Sequence, residues 1–166
     1  MKTAQRTMLS FRTGQERFNY RVAGVAVRDG HVLVCREDDD DYVMLPGGRV
    51  EFGEMSHLAL AREIREELKH SGDVGRLLFT AENFFAREGE TFHEIGLYYE
   101  MQLPESFPFI LGQSCLVTQD EGHDLSFDWV PADDTRLGQW NLLPAWIRAR
   151  LSQLPERAEH LVIDER

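Results

Sequence analysis

Residues 47–72 read GGRVEFGEMSHLALAREIREELKHSG, and from Ser56 onward this stretch has the period of a helix. Leu60, Ile64 and Leu68 recur every four residues, and Leu58, Ala59 and Ala61 favour helix. Glu54 and Ser56 stand at its start, where acids and hydroxyls suit the exposed amides. Gly72 is expected to close it. Each helical residue turns the chain by about 100°. With Arg62 at zero, Glu66 falls at about 40°, Glu63 at about 100° and Glu67 at about 140°. The three carboxylates therefore share one face. Leu60, Ala61, Ile64 and Leu68 fall at about 160–260°, an adjoining apolar stripe that can pack on a core.

Three like charges on one face weaken a bare helix by some tenths of a kcal/mol per pair. Arg62 and Glu66 pair at spacing four, but one cation does not balance three acids. A divalent cation does, and hard oxygen donors in this number suit Mg²⁺ or Mn²⁺. Mg²⁺ is usually held by few carboxylates together with substrate phosphates, so the arrangement points to a phosphate-bearing substrate. Gly47 and Gly48, after Pro46, allow backbone to approach a ligand or ion closely, and a carbonyl there can complete a metal shell.

Outward from this segment the pattern is β-rich. Residues 21–28 (RVAGVAVR) and 31–36 (HVLVCR) flank Asp29-Gly30, a strong short hairpin signal. Strands are expected near 8–12, 42–45, 75–86, 91–103, 125–130 and 160–163, with Thr13-Gly14 as a turn. A second helix is expected over 142–153, with Pro144 tolerable only in its first turn. The order is mixed α/β, which predicts a mixed sheet covered by helices. The acidic run 37–41 reads as a solvated hairpin loop or as a metal site, although consecutive acids lack the alternate spacing of a calcium loop.

The 166 residues suit one domain, here residues 1–166. Hydrophobic residues at 42% and charged residues at 28% argue against wholesale disorder. A net charge of −11 disfavours non-specific binding to nucleic acid or anionic membrane, which needs clustered cations. Two cysteines, Cys35 and Cys115, make no disulfide framework, and Cys35 reads as a reduced core thiol. Residues 1–17 are polar and no apolar run approaches the roughly 20 residues of a membrane span. A soluble, cytoplasmic protein is the expectation.

Gly48, Glu54 and Arg62-Glu63-Ile64-Arg65-Glu66-Glu67 match the pattern Gly-x5-Glu-x7-Arg-Glu-aliphatic-x-Glu-Glu-x-Gly-aliphatic. The segment thus resembles the signature box of the Nudix hydrolases. It departs at the end, where Lys69 and His70 replace the Gly and the aliphatic residue, so the helix is expected to run on to Ser71-Gly72. The stretches 82–85 (ENFF), 92–99 (FHEIGLYY) and 141–146 (NLLPAW) resemble the family more weakly. The resemblance implies an α/β Nudix fold, a mixed β-sheet sandwiched between helices. It implies Mg²⁺-dependent attack of water on the pyrophosphate of a nucleoside diphosphate linked to another moiety, with Mn²⁺ able to substitute. Metal bound in this way neutralises phosphate oxygens and acidifies its water.

By position in the box, Glu63 and Glu67 are metal ligands with the Gly47 carbonyl. Glu66 is a ligand or the water-activating base, Arg62 orients the glutamates, and Glu54 supports loop and helix. Gly48 and Arg49 are expected at the substrate. Glu94, in a later strand, is an expected extra base or ligand, against the plainer reading of a strand-surface acid. His93 reads as a surface or packed histidine and Glu82 as a similar non-functional group, and Phe84, Phe85, Tyr98, Tyr99, Trp129 and Trp140 as core more than as base-stacking rings. With only Lys2 and Lys69 as lysines, arginines are the expected phosphate contacts, Arg21, Arg49 and Arg87 among them. The partner is a small nucleotide or nucleoside diphosphate derivative, and family members often form homodimers. Competing readings are a non-catalytic nucleotide-binding module on the same fold, which decayed acids would favour, and an isopentenyl diphosphate isomerase, which needs a reactive cysteine. The substrate itself stays open, as does the role of residues 104–123, a substrate loop or an insertion.

Overall fold

Two turns with left-handed backbone organise the first strands. Gly14 (φ 62°) closes the hairpin between β1 (Ser10–Thr13) and β2 (Glu16–Val25). Asp29 (φ 47°) and Gly30 (φ 72°) close the one between β3 (Val27–Arg28) and β4 (His31–Glu37). The computed structural model describes residues 6–166; Lys2 lies outside them. The chain continues through β5 (Val43–Met44), β6 (Gly47–Arg49) and α1 (Ser56–Leu68). Two long strands, β7 (Asp73–Arg87) and β8 (Glu90–Gln102), follow. Then come β9 (Leu116–Asp120), β10 (His123–Pro131), α2 (Asp134–Gln139), β11 (Leu142–Leu143), a 3₁₀ turn (Ala145–Arg150) and β12 (Glu159–Glu165).

The expected mixed sheet is present as two six-stranded sheets. The first runs β1-β2-β8-β7-β12 with β6 also on β2, and the second runs β11-β5-β4-β10-β9 with β3 also on β4. In the first sheet β2 and β8 are parallel, as are β7 and β12, while β7 and β8 form a long antiparallel ribbon. One core cluster joins Ala23, Val25, Ala81 and Tyr98 of the first sheet to Val32, Val34 and Val43 of the second, with Leu45 just after β5. The other seats α1 through Ala59, Leu60, Ile64 and Leu68 on Val22, Leu33, Val50 and Phe127. Leu60, Ile64 and Leu68 are stripe positions of the sequence, each worth roughly 1.5–3 kcal/mol of burial, while Ala59 takes the buried place expected for Ala61, which is only half-buried.

Four expectations are corrected. Helix α1 stops at Leu68, and Lys69 takes the left-handed conformation (φ 55°) that glycine would supply, so the helix does not reach Gly72. Ser56 does not cap it, since its hydroxyl meets the Tyr99 hydroxyl at 2.6 Å. The helix expected over 142–153 is a short strand followed by a 3₁₀ turn. Leu142 and Leu143 extend to pair with Val43 and Met44, and Pro144 has no amide to donate. The unforeseen α2 is capped by Asp133, whose Oδ1 accepts from the Arg136 amide at 2.9 Å. Within 104–123, β9 pairs with β10, so part of the presumed loop is sheet. Among the described residues no helix is long and apolar enough to cross a membrane.

Candidate active site

Helix α1 carries its acids on the face beside its core stripe, and Arg62 stands among Glu54, Glu63 and Glu66. Its guanidinium, only 15% exposed, grips Glu54 with two hydrogen bonds, Nε to Oε1 at 2.8 Å and Nη2 to Oε2 at 2.9 Å. Nη1 donates to Glu63 Oε1 at 2.7 Å and to Glu66 Oε2 at 3.2 Å, and Nη2 to the Arg49 carbonyl at 3.2 Å. Glu54 in turn accepts from the Glu51 amide at 3.0 Å, which fixes the loop entering the helix. Arg6 closes the other side, donating to Glu51 at 2.7 Å and to Glu66 at 2.9 Å. The hydrogen bond from Arg62 holds the Glu54 carboxyl below its ordinary range. Arg62 thus contacts Glu54, Glu63 and Glu66, and Glu54 contacts the loop that enters the helix.

The glycine pair has a steric reason. A Cβ on Gly47 would lie 2.1 Å from the Val22 carbonyl oxygen, and one on Gly48 would lie 2.3 Å from the Glu63 carboxyl carbon. Strand β6 thus lies flat against β2 and lets the Glu63 carboxylate rest on its backbone. The Gly47 amide donates to Glu67 Oε2 at 3.2 Å. Burial pushes the Glu67 carboxyl up to about 8, with the charge of Arg21 opposing. Burial also raises Glu63, with Arg62 opposing.

Among the described residues two sets of donors bring their ligand atoms within 4.8 Å of one another: Glu63, Glu66 and Asp120, which are half-buried, and Glu37, Asp38 and His123, which are exposed. Asp120 was missed in the sequence. It ends β9, and the acid-acid-Gly turn Asp120-Glu121-Gly122 after a β-rich run was the available signal. Thr118 Oγ1, donating to the Glu67 carbonyl, ties β9 to the end of α1 and brings Asp120 over the acid face. Glu67 is set beside this trio, and Gly47, Gly48, Arg49 and Arg21 line the same cleft of about 290 Å³.

Glu94 is the site residue the structure places elsewhere. It is buried on β8 between Asn19 and Asn83 and lines a neighbouring cavity, outside the acidic cleft. It is thus neither a surface acid nor a member of the ligand cluster. The three candidate arginines separate: Arg21 and Arg49 border the acidic cleft, whereas Arg87 lies over the Tyr42 ring at 4.4 Å. His93 stacks on Phe84 at 4.5 Å and Glu82 meets His160 at 2.7 Å on the surface. In the exposed 37–41 turn, Asp38 accepts from His123 at 2.7 Å and from the Asp124 amide at 2.9 Å. Burial pushes the Cys35 thiol far up, and Cys115 up to about 11, so neither has the low pKa of a reactive thiol.

A profile of the NUDIX domain matches residues 18–150. Comparison with curated protein sequences finds no match. The chain is similar to the solution structure of the E. coli ORF135 protein, at 24% identity and TM-score 0.50 over 86% of this chain and 91% of that one. It is similar to an ADP-ribose pyrophosphatase from Streptococcus suis 89-1591, at 14% identity and TM-score 0.50 over 87% and 98%. It is also similar to the MutT protein from Methanosarcina mazei Go1, at 18% identity and TM-score 0.56 over 82% and 91%. At these identities the likenesses establish the fold.

Proposed function

Because the chain belongs to the Nudix hydrolase family, we propose that it cleaves the pyrophosphate of a nucleoside diphosphate linked to another group, using Mg²⁺ or, in its place, Mn²⁺. The observation that carries this reading is the convergence of Glu63, Glu66 and Asp120, with Glu67 and Gly47 beside them. Clustered carboxylate oxygens of this kind fit a hard divalent cation. When bound there, the ion neutralises phosphate oxygens and lowers the pKa of coordinated water.

The chain's own groups do the rest. Arg62 is saturated by Glu54, Glu63 and Glu66 and has no lone pair to take a proton, so it is a scaffold. Arg21 and Arg49 offer cations to the phosphates at the cleft wall. A carboxylate of the α1 face, Glu66 foremost, accepts the proton of the attacking water. The water oxygen forms the new bond to phosphorus and the bridging oxygen leaves with the departing phosphate. The same reading takes residues 1–166 as one Nudix domain, acting in the cytoplasm on a free nucleotide derivative.

The test is a hydrolysis panel of nucleoside triphosphates, nucleotide sugars, ADP-ribose and dinucleoside polyphosphates, run on the wild type and Glu66→Gln with Mg²⁺ or Mn²⁺. Cleavage of at least one class by the wild type, lost in the variant, is expected. No cleavage of any class, with Mn²⁺ bound in calorimetry, overturns the reading in favour of a binding module.

A further inference from the structure

The first sheet ends in β12, whose seven residues read EHLVIDE. Among the described residues β7 is its one strand neighbour, and no loop backbone bonds to it. Every second amide and carbonyl along its far side is therefore open to another strand. Exposed edges are usually blunted by shortness, by a proline or lysine, or by a bulge. The other sheet ends follow this rule, with two residues in β11, four in β1 and five in β9. Strand β12 is longer, holds no Pro, Gly or Lys, and runs against β7 without a bulge.

The side chains say what fits this edge. Leu161 and Ile163 are half-buried toward the core, while Val162, on the opposite face, is 62% exposed. Charged or titratable groups flank this apolar centre in an order that is nearly complementary to its own reverse. When a second β12 runs antiparallel with Val162 opposite Val162, Leu161 meets Ile163 and His160 meets Asp164. Opposite-charge and apolar cross-strand pairs are the ones that stabilise a sheet. His160 already holds Glu82 through Nε2 at 2.7 Å, which leaves Nδ1 for an acceptor. Glu159 opposite Glu165 is the one unfavourable pair, and Arg150, 2.9 Å from Glu159, offsets it. Sliding the register by two residues sets Val162 against His160 or Asp164 and loses both kinds of pair. A parallel partner in register would stack Asp164 on Asp164 and Glu165 on Glu165.

We propose that β12 is a self-pairing edge: a second copy of this chain docks on it antiparallel about Val162 and joins the two six-stranded sheets into one. The symmetry is that of a two-fold dimer, in which one patch serves both partners. Seven residues a side make a small interface, so the pairing is reversible. It does not depend on the hydrolase reading.

Sedimentation equilibrium of the full chain is expected to show dimer at about 100 µM and monomer on dilution toward about 1 µM, as suits a small interface. Val162→Lys sets two ammoniums opposite each other and is expected to weaken the dimer at least tenfold. The melting temperature of the dilute protein should not move, because Val162 is exposed. Val162→Cys tests the register directly. Opposite residues of an antiparallel pair have Cα atoms about 4.5–5.5 Å apart, a span a disulfide bridges. Mild oxidation of this variant is expected to give a covalent dimer that peptide mapping assigns to position 162, whereas the wild type gives none. This result decides the matter if Val162→Lys does not fold. A wild type that stays monomeric at the higher concentration, a dimer equally tight in Val162→Lys, or failure of Val162→Cys to crosslink overturns the proposal.

Discussion

The two ends of the groove treat buried polar atoms in opposite ways. At the α1 end the carboxylates of Glu54, Glu63 and Glu66 are gripped by Arg62, and Glu67 accepts from the Gly47 amide. At the β8 end Asn83 keeps a sealed oxygen without a partner, beside the buried Glu94. An acid face that must hold its shape before any ion arrives needs internal cations. A sealed polar atom without a partner instead costs stability. Catalytic residues are thus expected to be separable from fold stability on the acid face, whereas substitutions in the buried polar row should change stability first.

The largest effect that probes this division is loss of the acid itself. Glu66→Gln is expected to lower turnover by about a thousandfold, which is about 4 kcal/mol of barrier. Its melting temperature should stay close to that of the wild type, because Glu66 is partly exposed and both Arg62 and Arg6 keep other partners. A collapse of the melting temperature would make the acid face structural. Next in size is Arg62→Ala, which strands Glu54 and Glu63 in a largely buried setting. Breaking such a network costs about 3 kcal/mol, and chemical denaturation should show it. Arg62→Lys should recover little, since an ammonium has no fork to hold Glu54 at both oxygens.

A smaller effect comes from Glu67, whose carboxyl burial pushes up to about 8. The folded value lies above the ordinary 4.5, so the protonated form is the one folding favours. Its contribution to metal-free stability is complete below pH 4.5 and is lost as pH rises through about 8. A bound divalent ion reverses the trend by supplying the missing cation, with release of the proton. The thermal shift caused by Mn²⁺ should therefore grow from pH 6 to 8.5. In Glu67→Gln that growth should vanish, and its persistence there would assign the titration to another group.

How much of this was legible in the sequence depends on the range of the interactions. Arg62, Glu63, Glu66 and Glu67 share one helix, so helical geometry alone gathers them, and Gly48 and Glu54 were legible through their fixed offsets before it. Asp120 reaches the acid face only through the pairing of β9 with β10 and the Thr118 tether, which no local period encodes. The same holds for the Asn19–Glu94–Asn83 row, set by a parallel and an antiparallel register across three strands. Read singly, Glu94 looked like a surface acid or a base, and Asn83 like nothing in particular. The failed helix over 142–153 is a contest between apolar periodicity and sheet pairing, won by Leu142 and Leu143 on β5.

The smallest expected effect concerns Lys69, the first of the two positions at the end of the acid-bearing helix that depart from the family's pattern. Lys69 occupies the left-handed turn after Leu68 at φ 55°. For a residue with a Cβ this conformation costs about 1–2 kcal/mol, a penalty glycine escapes. Against that stand the greater chain entropy of an unfolded glycine, about 0.5–1 kcal/mol, and the bond from Lys69 Nζ to the Glu66 carbonyl, which is exposed and so of little weight. Lys69→Gly should therefore stabilise the protein by about 0.5 kcal/mol, a rise of roughly 1–2 °C in melting temperature. Turnover and Mn²⁺ affinity should not change, because the acids upstream keep their partners. A fall in melting temperature would show that the lysine's own contacts outweigh its backbone strain, and that the helix end is built around them.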